Sequence, residues 1–314
     1  MTFLQKLEYA AARGFLVVFR ALGPARASDL GGAIGRMLGP LIPTSRVAEA
    51  NLRAALPERD AAARRAIIAQ VWDTLARNTG EFPHLGGLRE TASGPGYEFS
   101  GAEHARALAA AGGPAILLTA HCGNWEILPA ALRTLGLRFA FFYRAAANPA
   151  VDRLIIGLRE AAMGEPVIMF AKGAKGARGA YAHLARGGML CMLVDQKLND
   201  GIAVPLFGIE AMTAPALAVF ARKFRCPILP VHVERVGPAR LRVIIEPVAY
   251  AQASDDKTAD IAATTLWMNQ TIERWVRAKP GQWLWLHRRW PKAGGTGGSK
   301  ESLSFLKKRN KKLF

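Results

Sequence analysis

From residue 96 onward the chain repeats one pattern: a short apolar run, a break at glycine or a polar cluster, then a stretch with helical spacing. The runs at 96–99, 115–120, 137–143, 167–170, 189–194, 228–234 and 241–249 read as strands. Between them lie helical patterns at about 101–111, 124–135, 149–162, 176–186 and 213–225, with a last one from about 257 to 278. Apolar strands alternating with helices are buried on both faces, so the expected fold is α/β, a mixed sheet flanked by helices. No repeat of solenoid length interrupts the pattern.

The first ninety residues obey a different period. Leu30, Ile34, Met37, Leu38 and Leu41 fall at helical spacing behind Ser28, a good N-cap. A second helix is expected from near Thr44 to before Pro57, and a third from about 60 to 80 with Ile67, Ile68, Val71, Trp72, Leu75 and Thr79 on one face. Residues 3–22 are mostly apolar but carry Lys6, Glu8, Arg13 and Arg20. A mid-span Arg costs roughly 2.5–3.5 kcal/mol, which favours a helix lying in a membrane interface over one that crosses. No charge-free apolar core precedes a small-residue cleavage site, so no secretory signal is expected. The chain therefore divides into a helical N-terminal membrane-associating region (1–90), an α/β domain (91–292), and a Gly-rich linker with a basic tail (293–314).

Charge narrows the choice of partner. The formal net charge is +18, which calls for an anionic partner: nucleic acid, acidic phospholipid or an acidic protein. Cys122, Cys191 and Cys226 are an odd number without a C-x-x-C pair, which favours reduced thiols over a zinc ribbon. There is no H-E-x-x-H, and His84, His104, His183 and His232 show no ligand spacing, so neither a metal nor a cofactor is expected.

The strand 115–120 runs into His121-Cys122-Gly123-Asn124-Trp125-Glu126, with a helical pattern after it. Ligands of α/β sheets bind beyond the carboxyl ends of strands, which puts His121 where chemistry is done. If the helix begins near Gly123, Glu126 in its first turn can fold back and accept a hydrogen bond from one imidazole nitrogen, leaving the other as a general base. The N–H groups of that helix start could then hold an oxyanion, and Gly123 would let a substrate approach. A satisfied structural histidine and an ordinary first-turn glutamate remain the alternative reading of the same spacing. Cys122 is a rival nucleophile, although neighbouring strand residues point to opposite faces.

This strand–His-x-x-x-x-Glu–helix element resembles the catalytic block of the glycerolipid acyltransferase superfamily, and the chain from about 5 to 292 resembles the late acyltransferases of lipid A biosynthesis. Further blocks carry the resemblance: Asn51-Leu52-Arg53; Asn78-Thr79-Gly80-Glu81-Phe82; Tyr143-Arg144 with Asn148-Pro149; Val194-Asp195-Gln196; Val204-Pro205-Leu206-Phe207-Gly208; Thr213-Ala214-Pro215; and Trp285 to Trp290. The resemblance implies that His121 deprotonates an acceptor hydroxyl, that Glu126 orients and supports it, and that the hydroxyl attacks an acyl thioester with no acyl-enzyme. It implies acyl carrier protein as donor, a lipid A precursor as acceptor, and a place at the cytoplasmic face of the inner membrane. Arg159 and Asp195 match further positions on which activity depends in that family, and Arg144, at a strand end, is a candidate for phosphate or oxyanion contact.

Two basic features lie outside those blocks. Lys172 to Ala180 repeats a basic-Gly-Ala triplet before a helix, either a phosphate site or a solvated loop. Trp283, Trp285 and Trp290 beside His287-Arg288-Arg289 either line the membrane side or pack in the core. Rival functions are transfer to another acceptor (a lysophospholipid, glycolipid or aminolipid), thioester hydrolysis, and a non-catalytic basic protein on an anionic membrane or nucleic acid. Charge-driven binding needs stripes of Lys/Arg with stacking aromatics rather than an acid–base pair at a strand end, and no nucleic-acid partner is expected.

Overall fold

The computed structural model describes residues 1–290, so the expected linker and basic tail at 293–314 lie outside the described residues. The strands are β1 (Gly96–Ser100), β2 (Ala115–Thr119), β3 (Phe139–Tyr143), β4 (Met169–Ala171), β5 (Met189–Leu193), β6 (Lys197–Leu206), β7 (Ile209–Thr213), β8 (Ile228–Gly237) and β9 (Arg240–Ile245). Seven of them form one mixed sheet in the order β1-β9-β8-β2-β5-β3-β4, while β6 and β7 pair separately as an antiparallel hairpin. Only β8 and β9 run antiparallel within the large sheet.

The helices are α1 (Phe3–Leu22), α2 (Pro24–Leu38), α3 (Ser45–Ala55), α4 (Ala61–Glu81), α5 (Ala102–Ala111), α6 (Leu128–Arg133), α7 (Pro149–Met163), α8 (Ala174–Ala185), α9 (Ala216–Phe224) and α10 (Lys257–Ala278). Strand residues alternate between faces, and β2 and its extension show what that alternation buries. Ile116, Leu118 and Ala120 join a core with Leu52, Ile67, Leu184, Leu217 and Met268, from α3, α4, α8, α9 and α10. Ala115 and Leu117 face a second core with Leu108 of α5 and Leu132 of α6. Both faces of the sheet are thus covered, which is why its central strands carry almost no polar residue.

The N-terminal helices differ from the expectation in which face they bury. α2 begins at Pro24, so Ser28 is an interior residue, and its buried hydroxyl accepts from Arg77 Nη1 at 3.1 Å. The side of α2 against α4 is its glycine stripe: a Cβ at Gly31 would lie 2.4 Å from the Ala76 carbonyl oxygen, and one at Gly35 2.3 Å from that of Trp72. Small residues let the two backbones meet, and the apolar stripe Leu30, Ile34, Met37, Leu38 faces outward instead. On α4, Ile67, Ile68 and Val71 are buried as expected, but Thr79 is exposed while Asn78 and Glu81 are buried. No helix among the described residues is long and apolar enough to cross a membrane.

The β6–β7 hairpin was absent from the strand pattern read above. Its loop is Phe207-Gly208, with φ of 56° and 72°, between the paired Leu206 and Ile209. Positive φ at both loop positions gives the turn whose twist suits a two-residue hairpin, yet a bulky residue there is an outlier. Its surroundings hold Phe207 in place: its N–H donates to Glu273 Oε2 at 2.7 Å, and the Arg277 guanidinium lies 4.8 Å from its ring centre.

Candidate active site

The centre of the site follows from strand register. β2 and β5 are parallel neighbours in which Thr119 lies opposite Leu193. Two residues beyond each, past the carboxyl ends, His121 therefore meets Asp195, and Nδ1 of the imidazole lies 2.8 Å from Asp195 Oδ1. Asp195 also accepts from the His121 backbone N–H at 3.1 Å and from the Trp283 indole at 2.8 Å, both through Oδ2. Burial alone would push this carboxyl up, but the attraction and hydrogen bonds of His121, with that of Trp283, hold it at about 2. An ionised carboxylate only accepts, so the hydrogen bond places a proton on Nδ1 of His121. Nε2 is left for substrate, on a side chain 17% exposed beside one that is 2% exposed.

Glu126 occupies a different position from the one the spacing suggested. The segment after His121 does not enter an α-helix at Gly123; it makes a short 3-10 turn at Trp125–Ile127 and then α6. From that turn Glu126 points to α7 and forms a two-pronged pair with Arg159, Nε to Oε2 at 2.9 Å and Nη2 to Oε1 at 2.8 Å. The imidazole's carboxylate partner is Asp195, not Glu126. Arg159 lies 6.0 Å from the ring centres of both Phe82 and Phe141. The Trp125 ring stands edge-on to the imidazole at 4.9 Å.

The start of the loop between them is tied through its backbone. His121 O accepts from Leu284 N–H at 3.2 Å, and Gly123 N–H donates to Gln282 O at 2.9 Å, so that N–H is spoken for and is not an oxyanion donor. Gly123 has φ +55°, and a Cβ there would sit 2.3 Å from Val233 O of β8. The close approach that demands glycine is therefore to the sheet, not to substrate. Cys122 is buried, and burial with the charges of Asp195 and Glu234 pushes its thiol far above the ordinary range, which removes it as a nucleophile.

Of the remaining candidates, Arg144 follows the carboxyl end of β3 but is exposed and is not hydrogen-bonded to this cluster. Lys172, Lys175 and Arg178 are exposed beside it in sequence order of strand ends, after β4 and at the start of α8. Trp283, Trp285 and Trp290 are all buried, so they pack rather than line a surface. The indole of Trp283 is a site contact that periodicity could not reveal. Only its place in a Trp-rich block marked it. Arg289, 1% exposed, donates to Met212 O at 3.0 Å and Thr213 Oγ1 at 2.7 Å, and burial lowers it to about 10 against the pull of Asp195. It anchors the last described segment to the hairpin.

This arrangement is a histidine with one nitrogen fixed by a buried carboxylate, at the carboxyl ends of two parallel strands, with a carboxylate–guanidinium pair whose carboxylate is five residues further along the same loop. It suits proton removal from a hydroxyl. No curated relative matches the chain. A family model described as bacterial lipid A biosynthesis acyltransferase matches residues 2–292, which spans the whole sheet, both ion pairs and the N-terminal helices. The chain belongs to the bacterial lipid A biosynthesis acyltransferase family.

Proposed function

We propose that the protein moves a fatty acyl chain from an acyl carrier protein thioester to a hydroxyl of a lipid A precursor, with His121 as general base and no covalent acyl-enzyme. The observation that carries this reading is the 2.8 Å bond from His121 Nδ1 to Asp195, which leaves Nε2 as the unprotonated nitrogen of a side chain that is 17% exposed. Nε2 takes the hydroxyl proton as the oxygen attacks the thioester carbonyl carbon. The tetrahedral oxyanion collapses with cleavage of the C–S bond, and the leaving thiolate recovers the proton from Nε2. A thioester is already activated, so positioning and deprotonation supply the rate.

Glu126 and Arg159 act as a unit in this scheme. Arg159 spends Nε and Nη2 on Glu126, which keeps Nη1 for the thioester carbonyl as it becomes an oxyanion. The resemblance implies that Glu126 orients and supports the imidazole; its carboxylate is paired with Arg159, and we assign that pair to the thioester carbonyl. Arg144 with Lys172, Lys175 and Arg178 offers an exposed basic rim for the phosphates of the acceptor or the acidic donor.

Membrane association follows the same logic. Most large apolar side chains exposed among the described residues lie between Met1 and Ile42, with Phe3 83%, Leu41 79% and Met37 67% exposed. Exposed Lys6, Arg13, Arg20, Arg26 and Arg36 intersperse them. An amphipathic surface with cations suits an anionic leaflet, and we assign residues 1–90 to interfacial contact at the cytoplasmic face of the inner membrane and 91–292 to acyl transfer.

The test supplies membranes containing the protein with thioesters of acyl carrier protein or of coenzyme A, and with lipid A precursors, lysophospholipids, glycolipids or no acceptor. Products are identified by mass. The proposal expects acylated lipid A precursor from the carrier-protein donor. Another acylated lipid would overturn the acceptor, and free fatty acid alone would indicate hydrolysis.

A further inference from the structure

Glu81, at the end of α4, is a fully buried carboxylate far in sequence from the site. It accepts from Asn124 Nδ2 at 2.7 Å, from Ala239 N–H at 3.1 Å, from Arg235 Nη2 at 2.8 Å and from Arg235 Nη1. Arg235, from β8, also donates through Nη2 to Asn78 Oδ1 at 2.7 Å. Asn78 Nδ2 in turn donates to Gly123 O at 2.6 Å. One helix thus grips two consecutive residues of the loop, Gly123 by its carbonyl and Asn124 by its side chain.

That grip falls between the two ion pairs of the candidate site. His121 lies two residues before Gly123, and Glu126 two residues after Asn124. A second tie runs behind the loop: Gln282 takes the Gly123 N–H, accepts the Arg235 N–H through Oε1 at 2.7 Å and donates to Arg235 O at 2.9 Å. A buried charge pair is weak evidence for stability, since desolvation offsets its attraction, so a purely stabilising role explains the cluster poorly. Gly123 is held against β8 so closely that a Cβ would lie 2.3 Å from Val233 O, so the loop has no room to shift on that side.

We propose that Glu81, with Arg235, Asn78 and Asn124, is a positioning device that sets the distance and angle between the His121–Asp195 pair and the Glu126–Arg159 pair. This rests on the acyl-transfer reading above. Glu81 touches no reacting atom. It acts on the hydroxyl and the thioester only by fixing the loop from which His121 and Glu126 project, and it makes α4 part of the catalytic frame.

The experiment measures steady-state transfer by the full chain, wild type against Asn124→Ala and Glu81→Asp, with His121→Ala as reference and the folded fraction from thermal melting. Asn124→Ala leaves the Glu81–Arg235 charge pair intact, and Glu81→Asp keeps the charge but shortens the reach to Asn124. Misplacement of a catalytic group by about an ångström costs on the order of a hundredfold. The proposal expects kcat to fall roughly tenfold to a hundredfold in both variants, with KM for donor and acceptor within about twofold and Asn124→Ala melting near wild type. Wild-type kcat per folded molecule in either variant, with His121→Ala inactive, would overturn the positioning role alone. A wild type that acylates no lipid would overturn the acyl-transfer reading and this role with it.

Discussion

At the level of single residues, the proposed proton transfer depends on Asp195 holding a proton on Nδ1 of His121. Asp195→Asn puts an amide where a carboxylate stood, and that amide can donate to Nδ1 and reverse the tautomer. We predict a loss of transfer rate of roughly 10²–10⁴-fold, read in single-turnover assays at neutral pH. Retention of more than a tenth of the rate would mean that the pair does not set the tautomer. The sequence reading located His121 at a strand end and named Asp195, Glu126 and Arg159 individually, but it joined the wrong carboxylate to the imidazole. The reason is physical: the pairing of His121 with Asp195 comes from β2–β5 register across a sequence separation of 74, whereas the spacing to Glu126 is local and visible. Asn78 and Glu81 were visible only as part of a motif block. Polar residues on a helix read as solvated, and nothing in a 3.6-residue period shows that these two turn inward.

At the scale of elements, the strands of the large sheet were legible because each is an apolar run bounded by breakers. β6 and β7 were not, because Lys197, Asn199 and Asp200 leave only Leu198 apolar at the start, Pro205 argues against a strand, and Phe207-Gly208 is an unusual hairpin loop. α2 was legible as a helix and misjudged in its cap, since a glycine stripe gives no hydrophobic signal although it lets α2 and α4 meet backbone to backbone. The junction of β8 with α10 makes a prediction of its own. His232 stacks on Trp275 at 4.4 Å and its Nδ1 is buried without a partner. Burial lowers it to about 4, with Glu246 opposing and Arg274 adding to the shift, and Glu234 lies 4.0 Å away. Its folded value is below its unfolded value near 6.5, so the unfolded chain binds the extra proton and stability is lost as pH falls from about 6.5 towards 4. This amounts to about 3 kcal/mol at most. His232→Phe, which keeps the stack, should show a shallower fall in urea midpoint between pH 7 and pH 4.5 than the wild type. Parallel curves would mean that His232 does not titrate with unfolding.

At the scale of the whole molecule, charge and apolar exposure point the same way. The chain carries a formal charge of +18, and its exposed large apolar side chains concentrate before residue 43. We predict that Leu30→Ser, Ile34→Ser and Leu41→Ser combined weaken sedimentation with anionic vesicles at least about tenfold, since each removes roughly 1–3 kcal/mol of apolar contact where it inserts. Unchanged sedimentation, with loss only on raising salt, would assign the contact to the basic residues instead. α1 ties this surface to the site: Asn148, the cap of α7, donates to Gln5 O and Glu8 Oε2, each at 2.8 Å, and α7 carries Arg159. If residues 1–42 contact a leaflet as proposed, the helix that does so is bonded to the one that carries Arg159.

The most direct test of the central claim is acyl transfer to a lipid A precursor by wild type and His121→Ala at equal folded amounts, with carrier-protein thioester as donor and the product identified by mass. The account predicts one added acyl chain in ester linkage from the wild type and none above background from the variant. Transfer by His121→Ala at a rate near wild type would contradict it, because the hydroxyl would then lose its proton to a group other than His121.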